Sequence, residues 1–73
     1  MKSLAEVEEG KKVKIMEILG GHGLVRRLLR IGLTVGIELF IVNNQGPIIV
    51  KFGDSTIAIG RGMAKKILVE EVL

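Results

Sequence analysis

Apolar residues in this chain alternate with period two, shift to a helical period across a run of glycines, and then return to period two, which places one short helix inside a β-structured domain. In Lys12-Val13-Lys14-Ile15 the apolar positions are odd, whereas in Met16-Glu17-Ile18 they are even. The inward face therefore changes between Ile15 and Met16, and a one-residue phase change within a strand predicts a bulge or sharp bend of the kind that curls a sheet towards a barrel. Gly20-Gly21-His22-Gly23 breaks that strand. Beyond it Leu24, Leu28 and Ile31 share a helical stripe, Val25 and Leu29 lie beside it, and Arg26, Arg27 and Arg30 fall on the opposite side. Gly32 suits the left-handed position that ends a helix, with Leu33 supplying the hydrophobic contact that accompanies it.

After Thr34-Val35-Gly36 the alternation resumes. Ile37, Leu39 and Ile41 face one way while Glu38, Phe40 and Val42 face the other, and Asn43-Asn44-Gln45-Gly46-Pro47 forms a loop. Ile48, Val50 and Phe52 make the inward set of the next strand, Gly53-Asp54 signals a two-residue hairpin turn, and Thr56-Ile57-Ala58-Ile59 returns along it. Gly60 to Lys66 reads as a turn or a single helical turn, and Ile67-Leu68-Val69 as a last strand leading into Glu70, Glu71, Val72 and Leu73. Near the start, Ser3 and Glu6 have capping-box spacing for a helical turn that Gly10 terminates. The expected architecture is mainly β: a small barrel of about five strands, with the amphipathic helix between the first and second. Closure of the sheet would remove edges that so short a chain cannot cover otherwise.

The chain has 73 residues and no cysteine, so a single domain spanning 1–73 must be held by apolar packing without disulfides or thiolate metal sites. Little mass is left for a catalytic cleft. The start Met1-Lys2-Ser3-Leu4 leads into acidic residues instead of an apolar signal segment, and no apolar run approaches the ~20 residues needed to cross a bilayer. A cytoplasmic location without membrane insertion is expected.

The chemistry-bearing candidates are sparse. Gly21-His22-Gly23 at the helix start and Gly60-Arg61-Gly62 resemble phosphate loops, but each lacks the third small residue of the dinucleotide fingerprint, with Arg26 and Lys65 in its place. His22 is the one imidazole, and Glu17, Asp54, Met16 and Met63 stand at no recognised ligand spacing from it. Ser3 and Ser55 lie in no nucleophile-elbow context. No catalytic residue, metal ligand or cofactor is expected.

Two surfaces remain as partner-binding candidates. One is the helix face Arg26, Arg27 and Arg30, with Arg61, Lys65 and Lys66 as further contributors to a basic surface. The other is the set Phe40, Val42 and Ile49, out of phase with the core and so directed to solvent unless the helix or the termini cover it. The net charge of +3 suggests RNA or DNA as an alternative ligand for a small basic barrel. Two phenylalanines and no tyrosine or tryptophan supply almost no stacking platform, which weighs against that alternative.

The ordered features resemble the FeoA family over nearly the whole chain. The resemblance rests on Ser3-Leu4-Ala5-Glu6 with Gly10, Val13-Lys14-Ile15, Gly20-Gly21, Leu24-Val25-Arg26-Arg27-Leu28 and Ile31-Gly32-Leu33-Thr34-Val35-Gly36-Ile37-Glu38-Leu39. It continues through Gly46-Pro47-Ile48-Ile49-Val50, Thr56-Ile57-Ala58-Ile59 and Met63-Ala64-Lys65-Lys66-Ile67-Leu68-Val69. Its most specific element is the corner after the helix, where family members commonly carry proline and this chain has Val35; valine suits the extended backbone but gives the turn less rigidity. The resemblance implies an SH3-like barrel, shared with the C-terminal domain of DtxR-type repressors. It also implies a cytoplasmic, non-enzymatic accessory protein of ferrous iron transport that contacts the cytosolic part of FeoB, a membrane GTPase transporter. Direct iron carriage is disfavoured by the thin ligand set, and a homo-oligomer is compatible with the sequence.

Overall fold

The computed structural model describes residues 1–72. Six strands form one antiparallel sheet: β1 (Lys2–Ser3), β2 (Lys12–Ile18), β3 (Glu38–Asn43), β4 (Ile48–Phe52), β5 (Ser55–Ile59) and β6 (Ile67–Glu71), in the order β1-β6-β2-β3-β4-β5. Helix α1 (Gly21–Arg30) follows β2, and the short α2 (Arg61–Ala64) links β5 to β6. The expected end of the 1–73 domain at Leu73 lies outside the described residues.

The β architecture follows the alternation. Val13, Ile15, Leu39, Ile41, Ile48, Val50, Ile59, Ile67 and Val69 all enter one core, and each is at most 2% exposed. The expected phase change is present: β2 pairs with β6 in regular register up to Ile15↔Val69 and resumes at Glu17↔Leu68, leaving Met16 as the extra residue of a bulge. The strand bends there because two residues on one strand oppose one on the other.

The position of the helix differs from expectation. Lys2 and Ser3 pair with Val69 and Leu68, which adds a strand ahead of the first one expected, so α1 lies between the second and third strands. Two residues carry too little alternation to register as a strand in the sequence, and β6 supplies the pairing that makes them one. The helix also starts earlier than its apolar stripe, at Gly21, so the glycine run is its first turn as well as the strand break.

The helix ends as expected. Gly32 takes φ +92°, its N–H donates to Leu29 O at 3.0 Å, and the Leu33 N–H donates to Leu28 O at 2.9 Å. This is the Schellman pairing, and it brings Leu33 into the same core as Leu28, both fully buried. Glycine is required here twice over, since a Cβ on Gly32 would lie 3.1 Å from Phe52 Cε2. The β4–β5 connection is the two-residue turn expected, with Phe52 paired to Ser55, Gly53 at φ +57° and no positive φ at Asp54. Glycine at the first central position gives a type II′ turn, whose twist matches that of the strands it joins.

The curled sheet is not closed by backbone pairing. Among the described residues no ladder joins β5 to β1, so the expectation that closure removes every edge is corrected: the two strands at the ends of the order keep one free side each. Side chains bridge part of the gap. Asn44, in the β3–β4 loop, donates through Nδ2 to the carbonyls of Val7 at 2.6 Å and Ala5 at 3.1 Å, and Arg61 reaches the same loop from α2.

Candidate interaction surfaces

Helix α1 turns Leu28 into the core and leaves Arg26, Arg27 and Arg30 exposed. Their spacing puts Arg30 one turn from both others, so the three guanidinium groups share one side. The ion pairs among the described residues are Lys11–Glu71 at 3.9 Å and Lys12–Glu38 at 3.1 Å, and neither involves the helix. Arg27 and Arg30 stand in the last turn, where positive charge complements the helix dipole. Leu29 and Ile31, expected in or beside the buried stripe, are 57% and 46% exposed. This ten-residue helix buries only a narrow strip, centred on Leu28 with Leu24 and Val25 half-buried beside it.

Arg61 does not extend this basic surface as a free cation. Its guanidinium donates through Nη1 to Asn44 Oδ1 at 2.7 Å and Gly46 O at 3.0 Å, and through Nη2 to Ala5 O at 3.1 Å. It ties three chain segments together. Lys65 and Lys66 are exposed, and the stem of Lys66 packs near Gly20 at the start of α1.

The second surface is the outer face of the sheet. Phe40 and Val42 are 44% and 45% exposed, while Ile49 is half-buried. Cross-strand register explains the grouping. Phe40 stands between Lys12 on β2 and Lys51 on β4, and Lys51 in turn pairs with Thr56 on β5. One row further on, Asn43 opposes Ile49 and Ile49 opposes Ala58, with Val42 as the extra residue of a second bulge between Ile41 and Asn43. An exposed aromatic ring with Lys51 on one side, Lys12 and its Glu38 partner on the other, and a small apolar ridge nearby can receive an apolar side chain accompanied by a carboxylate. The flanking lysines escaped the sequence reasoning, because register across β2, β3 and β4 depends on bulges and a loop whose lengths do not reveal it.

Among the described residues no three His, Cys, Asp or Glu side chains are grouped to hold a metal ion, and no buried side-chain polar atom lacks a partner. A groove of about 310 Å³ lined by Met1, Lys2, Val7, Val69, Glu70 and Glu71 contains none of the predicted partner-binding residues. Among the described residues Glu6 is perturbed: its carboxyl is held below its ordinary value of 4.5 chiefly by the Ser3 backbone N–H, then by the Ser3 hydroxyl and the charge of Lys2. The N–H contact is 3.1 Å and forms half of the expected capping box. Among the described residues no helix is long and apolar enough to cross a membrane.

A curled six-stranded antiparallel sheet with helix α1 after β2 and the short α2 before β6 defines a protein of the SH3-like barrel class. A crystal structure of an iron uptake regulatory protein, FeoA, superposes with a TM-score of 0.90 at 35% identity, covering 97% of this chain and 96% of that one. The zinc-complexed FeoA of Stenotrophomonas maltophilia, described as a prokaryotic SH3 domain protein, shares the fold with a TM-score of 0.81 at 22% identity, covering 96% and 91% of the two chains. A manganese-dependent transcriptional repressor contains the same fold within a longer chain, of which 41% is matched, with a TM-score of 0.86 at 20% identity. In sequence, a putative Fe(2+) transport protein A of Methanocaldococcus jannaschii is 43% identical over 72 residues, covering 97% of this chain and 88% of the relative. The FeoA domain model matches residues 2–71, and the chain belongs to the FeoA family, which is associated with ferrous iron transport.

Proposed function

We propose that this protein is a non-enzymatic accessory module of ferrous iron uptake that acts in the cytoplasm, binding the cytosolic region of a FeoB-type GTPase transporter and modulating it by contact. The observation that carries this reading is the helix face: Arg26, Arg27 and Arg30 are exposed together and take no part in the ion pairs among the described residues. Three such cations on one helix side suit an acidic protein surface, to which they contribute steering and orientation. The Phe40, Val42 and Ile49 face is the apolar counterpart, supplying contact area that an exposed charge cluster lacks.

A pull-down on the immobilised cytosolic region of the transporter, run without nucleotide, with GDP and with a GTP analogue, tests the reading. Wild type is retained in at least one state, the combined Arg26→Glu, Arg27→Glu and Arg30→Glu variant is lost, and Phe40→Ala is weakened. Absence of retention in every nucleotide state, or retention indifferent to the triple charge reversal, refutes the assignment.

A further inference from the structure

The two ends of the sheet are built differently. At one end β1 is two residues long and carries Lys2, features that discourage pairing with another chain. At the other, β5 is Ser55-Thr56-Ile57-Ala58-Ile59, which contains no charge and no proline and pairs on one side with β4. Ser55, Thr56 and Ala58 are exposed. No backbone or side-chain hydrogen bond reaches Thr56 or Ala58 from outside that ladder among the described residues.

The two-residue turn fixes which backbone groups are free. Phe52 and Ser55 close the hairpin as a hydrogen-bonded pair, so the ladder to β4 runs through Ser55, Ile57 and Ile59. The N–H and C=O groups of Thr56 and Ala58 therefore point to the open side. Their side chains lie on the outer face of the sheet, opposite Lys51 and Ile49, and both are small.

We propose that this edge pairs antiparallel with β5 of a second copy of the chain, about a two-fold axis through Ile57, extending the sheet across the axis. In that register Thr56 faces Ala58 of the second copy and the reverse, so each free N–H meets a free C=O at both positions. Charge is complementary in the same register. Asp54, which takes part in no ion pair among the described residues, comes alongside Gly60 and Arg61 of the second copy, and the bonds of Arg61 run to uncharged acceptors. The symmetry produces this match twice. The apolar ridge of Ile49 and Ala58 then continues from one copy to the other.

Amide hydrogen exchange read residue by residue, alongside sedimentation equilibrium, tests the pairing. Between tens of micromolar and about 1 mM protein, exchange at the Thr56 and Ala58 amides is expected to slow by about tenfold as dimer accumulates. The Ser55, Ile57 and Ile59 amides stay protected throughout and report that the fold is intact. Ala58→Pro removes an outward N–H without touching the ladder to β4, and Thr56→Lys places a charge on the edge. Both are expected to sediment as monomers with the inner amides still protected. A wild type that stays monomeric with concentration-independent exchange at the two outer amides overturns the proposal, as does a dimer that persists in both folded variants. Protection that arises only when a transporter cytosolic region is added also overturns it, by giving the edge to a different occupant.

Discussion

The Arg61 guanidinium donates to Asn44 Oδ1 at 2.7 Å, while the amide end of the same Asn44 side chain holds the carbonyls of Val7 and Ala5. The pair locks the turn after β1, the β3–β4 loop and the start of α2 to one another where no ladder joins β5 to β1 among the described residues. Each group is set by the other. Asn44 presents its oxygen to Arg61 because its nitrogen is committed to two carbonyls, and a planar guanidinium spreads its donors over two nitrogens, Nη1 to Asn44 and Gly46 and Nη2 to Ala5, where an ammonium must serve every acceptor from one point.

Asn44→Ala is expected to destabilise the fold by about 2 kcal/mol, because it strands two partly buried carbonyls and removes an acceptor from Arg61. Arg61→Lys should lower stability by about 1 kcal/mol, since its bonds are more exposed. Urea denaturation of both single variants and of the double variant measures the coupling, and strict additivity would show that the two residues act independently.

Adjacent residues on α1 should respond very differently to the same truncation. Leu28 is fully buried, and Leu28→Ala is expected to cost about 3 kcal/mol through lost burial and a residual cavity. Leu29 is 57% exposed, and Leu29→Ala should stay within about 0.5 kcal/mol of wild type. Equal losses in chemical denaturation would contradict the observed rotation of the helix.

Two glycines of the helix region should respond to alanine with opposite signs. At Gly32 the left-handed backbone and the Phe52 ring 3.1 Å from a new Cβ both oppose the change, and a loss of about 2 kcal/mol is expected. Gly23 is helical with open space around it, so Gly23→Ala should gain about 0.5 kcal/mol. Thermal melts of the two variants on either side of wild type would bear this out.

Stability should depend on Glu6 in a direction set by its lowered carboxyl value. A group whose value is lower in the folded state binds its proton more readily when unfolded, so its contribution is present above the ordinary value of 4.5 and fades as pH falls through the folded value. Glu6→Gln keeps an acceptor for the Ser3 N–H but removes the charge. Its denaturation midpoint should fall less steeply than that of wild type on acidification below 4.5, and a parallel profile would exclude the linkage.

Some elements were legible because their cause is local. The bulge at Met16, the Schellman end at Gly32 and the hairpin at Gly53-Asp54 each depend on the phase of a few neighbouring residues or on one left-handed backbone, and the sequence displays both. Arg26, Arg27 and Arg30 were legible as a face for the same reason, since helical period places them before any packing is known.

Other features were decided by contacts between distant segments. Ser3 pairs with Leu68 across nearly the whole chain, so the extra strand that displaces the helix from its expected place exists only once β6 is in position. Arg61 looked like a free cation until folding brought Ala5, Asn44 and Gly46 to it. Lys12 and Lys51 came to flank Phe40 through cross-strand register, which bulges and loop closure set and which no single strand encodes. Sequence alone therefore determined the helix, the longer strands, most of their inward residues and the basic helix face, because period and turn chemistry act over a few residues. Tertiary structure decided the strand order, the open edge at β5 and the grouping of the surface residues, because those depend on which distant segments meet.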